Sequence, residues 1–156
     1  MRDIALLLAL LPVGAAPLHA QTPPPVGATL MAPGLPVADL DKALRFYQVA
    51  LGLVPATTLQ HGPVTEVMLC ADGKGGRLTL ILLYDKAQKQ KAPPADSGIA
   101  KIVLRVPDLS GVASRMQAAG YPVGTIRASG KGPAILMIHD PDGHELELVG
   151  NPPNPT

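Results

Sequence analysis

Tryptophan is absent from this chain, phenylalanine occurs once and tyrosine three times. Stacking platforms for nucleic-acid bases are therefore missing, and the core has to be built from Leu, Val, Ile, Met and Ala. Cysteine occurs once, at Cys70, so no intrachain disulfide can form even in an oxidising compartment. Stability must come from packing. Charge is sparse as well: the formal net charge is +1 over 156 residues. No basic field exists to attract nucleic acid, and none to attract an acidic partner. What the chain does have is apolar residue, 47%, enough to bury a core and to argue against disorder. Its length suits one domain, or two half-domains sharing a core.

The N-terminus reads as a targeting segment. Met1-Arg2-Asp3 is a short charged start, Ile4 to Leu11 is an unbroken apolar run, and Leu18-His19-Ala20 ends on a small residue. Residues 1–20 are expected to be a signal peptide cleaved after Ala20, an uncleaved anchor being the alternative. The run is short for a membrane-spanning helix. The mature protein is expected to be periplasmic or secreted, with no stable membrane insertion after processing. Residues 21–29 form a Pro-rich tether and residues 151–156 a tail. The domain between them, 30–150, divides into modules 30–85 and 98–150, joined by the polar connector Lys86 to Ser97.

The division rests on an internal repeat. Leu35-Pro-Val-Ala-Asp-Leu40 returns as Leu104-Arg-Val-Pro-Asp-Leu109, with Leu, Val, Asp and Leu in register. Each copy opens a helix. Leu40, Leu44, Tyr47 and Leu51 share one face of the first, and Leu109, Val112, Met116 and Ala119 share one face of the second. Asp39 and Asp108 are placed to cap the N-termini, and Gly52 and Gly120 to close the C-termini. Short β-like runs follow each helix: Ala56 to Gln60, Val64 to Ala71 and Arg77 to Tyr84, then Pro122 to Ala128, Ala134 to His139 and Glu145 to Val149. With a leading strand in each half, the pattern is βαβββ twice. Pro33 and Pro36 fall in the first leading strand, which should therefore be irregular or at a sheet edge.

Leu35 to Pro55 and Lys101 to Gly120 resemble the opening of a vicinal oxygen chelate module, the fold of glyoxalases, bleomycin-resistance proteins and extradiol dioxygenases. Asp140-Pro-Asp-Gly-His-Glu-Leu-Glu-Leu-Val149 resembles the terminal turn and strand of such a module. The resemblance implies an α+β fold in which two βαβββ modules form a curled mixed sheet around a cleft. The modules of such proteins pair within one chain or swap between two, so a homodimer is one of the arrangements open. Metal-dependent members hold a divalent cation in the cleft with His and carboxylate ligands from the first and last strands of each module.

Carried onto this chain, the His positions fall on Ala32 and Lys101, and the carboxylate positions on Ile81 and Glu147. A methyl group and a sec-butyl group supply no lone pairs, and an ammonium repels a cation. One carboxylate cannot hold a catalytic metal, so no cofactor is expected, a divalent metal being the disfavoured alternative. Strand alternation places Lys101, Val103 and Arg105 on one face, with Glu145, Glu147 and Val149, and with Met137 and His139. In the first module it places Ile81 with Thr79 and Leu83.

Lys101 and Glu147 are expected to pair. The ammonium then stands where a metal charge would stand, able to hold a substrate carboxylate or enolate oxygen. Arg105, Met137, Ile81 and Glu145 are the candidate ligand contacts. Two readings follow. One is a binding protein for a small, partly anionic molecule. The other is a lyase or isomerase of the glyoxalase type, or a metal-independent enzyme in which Lys101, Glu147 and His139 move protons. A salt bridge of purely structural meaning competes with both. His144 reads as a solvated turn residue, His61 as a loop residue, and Cys70 as core by parity with Met68.

Overall fold

The computed structural model describes residues 27, 29–72, 76–88, 98–128 and 132–151. The expected signal peptide 1–20, most of the expected tether, the tail beyond Asn151 and most of the connector lie outside the described residues.

The order of elements is β1 (Gly34–Pro36), α1 (Leu40–Leu51), β2 (Val54–His61), β3 (Val64–Cys70), β4 (Leu78–Asp85) and a single 3-10 turn at Lys86–Gln88. The second module supplies β5 (Ile102–Arg105), α2 (Leu109–Ala118), β6 (Arg127–Ala128), β7 (Ala134–His139) and β8 (Glu145–Gly150). Each module forms its own four-stranded sheet, in the orders β1-β4-β3-β2 and β5-β8-β7-β6. In both, the first strand lies parallel to the last and the other pairs are antiparallel. Two βαβββ modules of the expected kind are therefore present.

Local chemistry fixes the elements. The Asp39 carboxylate accepts from the Lys42 amide at 3.1 Å and the Asp108 carboxylate from the Gly111 amide at 2.8 Å, so both helices start on a side-chain cap. Gly52 ends α1 at φ 68°, the left-handed conformation that a side chain would strain. One face of each sheet packs on its helix. Leu35, Val67, Leu69, Leu80 and Leu82 join Ala43, Phe46, Tyr47 and Ala50, while Leu136, Ile138, Leu146 and Leu148 join Leu109, Val112 and Met116. All belong to one continuous core. Among the described residues, no helix packs on the opposite face of either sheet.

The modules meet through their helices and the segments beside them. Phe46 on α1 packs edge-on against both Tyr47 and Tyr121, with ring centroids 5.3 Å apart in each pair. The Arg115 side chain on α2 donates to the carbonyls of Val49 and Ala50 at the end of α1, at 3.2 and 3.3 Å. Three of the chain's four Phe and Tyr side chains thus sit at the junction.

Three local expectations needed correction. The run Pro122 to Ala128 yields only the two residues of β6. Pro122 has no amide to donate, and at Gly124 the backbone passes so close to β7 that an added Cβ would lie 3.1 Å from the Met137 carbonyl oxygen. Cys70 is buried, at 2% exposure, but not through parity with Met68. A register shift between Leu69 and Cys70 turns the thiol inward, while Met68 stays on the helix-free face opposite Ile81. His61 is the last residue of β2 and not a loop residue. The proline-containing β1 is, as expected, an edge strand.

Candidate functional site

The helix-free face of the second sheet gathers most of the residues singled out from the sequence. Glu147 on β8 stands between Val103 on β5 and Met137 on β7. One row along, Glu145 faces His139, with His139 Nε2 3.8 Å from the Glu145 carboxylate. In the other direction, Val149 lies between Arg105 and Ile135. The alternation that buries Leu146 and Leu148 is what turns Glu145, Glu147 and Val149 outward.

Lys101, immediately before β5, reaches over this face and donates from Nζ to Glu147 Oε2. The side chain of Glu147 is 16% exposed and that of Lys101 47%, so the carboxylate is sheltered while the ammonium remains open to solutes. The hydrogen bond that Lys101 donates to Glu147, the charge of Glu147 and that of Glu145 raise the Lys101 pKa above its ordinary value, against an opposing effect of desolvation. Lys101 is thus held as an ammonium, a donor and a positive charge but not a base.

The structure separates some of the candidates. His139 stands beside Glu145, one row from the Lys101–Glu147 pair. Arg105 lies four residues along the strand from Lys101, about 13 Å at the usual rise of about 3.3 Å per residue. Ile81 belongs to the other sheet, where it lies between Gly34 and Met68. Leu83 and Pro36 continue that face, and its carboxylate is Glu66, 3.3 Å from His61 Nε2. Among the described residues, no strand of one sheet is hydrogen-bonded to a strand of the other.

The donor set does not fit a divalent cation. Among the described residues no three His, Cys, Asp or Glu side chains converge on one point. Ala32 and Ile81 offer nothing, and the one oxygen ligand at the expected positions, Glu147, is already bound to an ammonium.

A polar cluster missed from the sequence lies behind the sheet. Asp140, in the turn between β7 and β8, accepts from the Tyr47 hydroxyl at 2.8 Å, from His144 Nδ1 at 2.9 Å, and from the amides of Asp142 and His144 at 3.0 and 2.8 Å. Asp142 in turn accepts from the Ala38 amide at 3.1 Å. His144 is therefore buried and hydrogen-bonded, not solvated. Its bond to Asp140 holds that imidazole inward. Burial raises the Asp140 pKa, but the hydrogen bonds and charge of His144 and the Tyr47 hydroxyl outweigh it and leave the carboxyl below its ordinary range. The same bond to Asp140 raises His144, and burial raises Asp142. The only hint in the sequence was the spacing of Asp140, Asp142 and His144 within one turn. Its partner Tyr47 is too distant in the chain to be inferred.

The family model of the Glyoxalase/Bleomycin resistance protein/Dioxygenase superfamily matches residues 28–148. The chain belongs to this superfamily. Solved members share its fold at low sequence identity. A glyoxalase/bleomycin resistance protein/dioxygenase domain from a Frankia species superposes with a TM-score of 0.67 at 17% identity, over 82% of this chain and 95% of that one. The trypanothione-dependent glyoxalase I of Leishmania major gives 0.63 at 21% identity, over 79% and 86%. An antibiotic-binding protein from a Streptomyces species gives 0.58 at 20%, over 80% and 97%. No protein of curated function matches the chain in sequence. Lys101 and Glu147 lie on the face of the second module that no described helix covers. No described helix of the chain is long and apolar enough to cross a membrane.

Proposed function

We propose that this superfamily member is an exported binding protein for a small, partly anionic organic molecule, with an ion pair in place of a metal. The observation that carries the reading is the Lys101–Glu147 pair on the uncovered face of the second sheet. Glu147 fixes the ammonium and keeps it charged, and Lys101 keeps two further N–H donors for a ligand oxygen. Val103, 55% exposed, and Met137 flank the pair and offer apolar contact to the rest of the molecule. The enzymatic alternative asks Lys101 to accept a proton, and the raised pKa opposes that. Export rests on the apolar run from Ile4 to Leu11 and the small residue Ala20.

A homodimer belongs to the same reading. Among the described residues each sheet leaves one face without a helix, and a second copy would cover it while leaving room for a ligand. Sedimentation velocity distinguishes the cases: a species of twice the chain mass supports the dimer, and a monomer throughout the micromolar range removes it.

The functional reading is tested by native mass spectrometry of the protein purified from its own host. A small acidic molecule retained by the wild type and lost from both Lys101→Ala and Glu147→Gln, at unchanged melting temperature, supports it. Lowered melting temperature with the molecule still retained reduces the pair to a structural salt bridge and contradicts the reading.

A further inference from the structure

Where the two modules meet, a cavity of about 390 Å³ opens between the C-terminal end of α1 and the turn leading from β5 into α2. That volume is within the range of small-molecule sites. Leu51, Leu53 and Ala71 form its first-module wall, and Leu104, Val106 and Val112 its second. Two arginines, Arg105 and Arg115, are among the lining residues, and they are unequally committed. Arg115 is engaged by the carbonyls of Val49 and Ala50. Arg105 has no hydrogen-bond or ion-pair partner among the described residues. Its neighbours across the sheet are Val149 and then Ile135, neither of which carries charge. The acid on the same rim, Asp108, is held at the start of α2 by the Gly111 amide. Arg105 is therefore an uncommitted cation among the residues that line an apolar cavity, in contrast to Lys101, which Glu147 already neutralises.

We propose that this junction cavity is a second ligand site, centred on Arg105 about 13 Å along the strand from Lys101, for a monocarboxylate carrying a flexible apolar tail. The tail lies between the modules and the carboxylate takes the guanidinium of Arg105, whose fork of donors matches two carboxylate oxygens. Both walls contribute, so an occupant binds only the docked arrangement of the modules. Occupancy then stabilises the whole domain by mass action.

Octanoate is the probe, titrated calorimetrically into the full chain, with octanol as the uncharged control. Saturable octanoate binding is expected, weakened about tenfold or more by Arg105→Gln and by replacement of the carboxylate with the alcohol. Lys101→Gln should leave it unchanged, which separates this site from the one proposed above. Ala71→Trp, at an exposed position on the rim, should block the cavity. Should that variant fold poorly, contacts between octanoate chain protons and the methyls of Leu53 and Val112, measured by nuclear Overhauser effects, locate the tail independently. Absence of saturable binding overturns the proposal. So does binding that survives Arg105→Gln but is lost in Lys101→Gln, or equal affinity for octanol.

Discussion

The Tyr47 hydroxyl donates to Asp140 Oδ2 at 2.8 Å, across 93 residues of sequence and from one module to the other. Both groups are buried. Burial and the neighbouring carboxylate push the Tyr47 pKa far above its ordinary value, so the phenol stays protonated and always donates. The bond ties the helix of the first module to the turn that shapes the candidate face of the second.

Tyr47→Phe removes that donor and leaves the ring. The bond goes to a charged acceptor, so the variant should lose about 2 kcal/mol of unfolding free energy. Urea denaturation with an unchanged m-value checks it. Asp140→Ala should lose more, because His144 and two backbone amides are left without their acceptor as well.

The same cluster sets a pH dependence. The folded pKa of His144 lies above its ordinary value of 6.5. Its contribution is complete below that pH and is lost as the pH rises through the raised value. Asp140 has the opposite sign, contributing above its ordinary value of 3.8 and losing that contribution as the pH falls through the lowered one. Raised Asp142 acts in a separate, acidic window: its contribution is complete below its ordinary value of 3.8 and is lost as the pH rises through its raised value, which opposes Asp140 there. Melting temperature should therefore decline from about pH 6.5 into the alkaline range. His144→Gln should flatten that decline, and thermal melts at a series of pH values read it directly.

Gly150→Ala tests the close approach at the end of β8. A Cβ there would lie 2.7 Å from the Val106 carbonyl oxygen and 2.8 Å from Leu109 Cγ. The carbonyl belongs to the backbone and cannot swing aside, so the substitution should destabilise by about 1–3 kcal/mol. Denaturant melts check the magnitude. Gly120→Ala, at φ 80° with open space around it, should suffer only from its backbone conformation and lose less.

Much of this fold could be read from the chain because it is written in periodicity. The repeated Leu-x-Val-x-Asp-Leu, the helical faces and the alternation along β7 and β8 each specify which side is buried. They placed Glu147, Met137 and Val103 on one face and Leu146 and Leu148 on the other. Three features escaped. The bulge at Cys70 breaks alternation without changing composition. Pro122 and Gly124 defeat a strand that hydropathy alone suggests. Tyr47 and Asp140 meet only through module packing, which no local pattern encodes. The commitment of Glu147 to Lys101 was accessible because the family resemblance implied neighbouring ligand positions for the two residues. The junction cavity was not, since its two walls come from different modules.

The most direct test of the account is metal content by inductively coupled plasma mass spectrometry, after loading with zinc or nickel and exhaustive dialysis. The ion pair predicts far less than one ion per chain, with no difference between the wild type and Glu147→Gln. One tightly held ion per chain, lost on Glu147→Gln, would show that the carboxylate serves a cation other than the ammonium of Lys101, and would contradict the account.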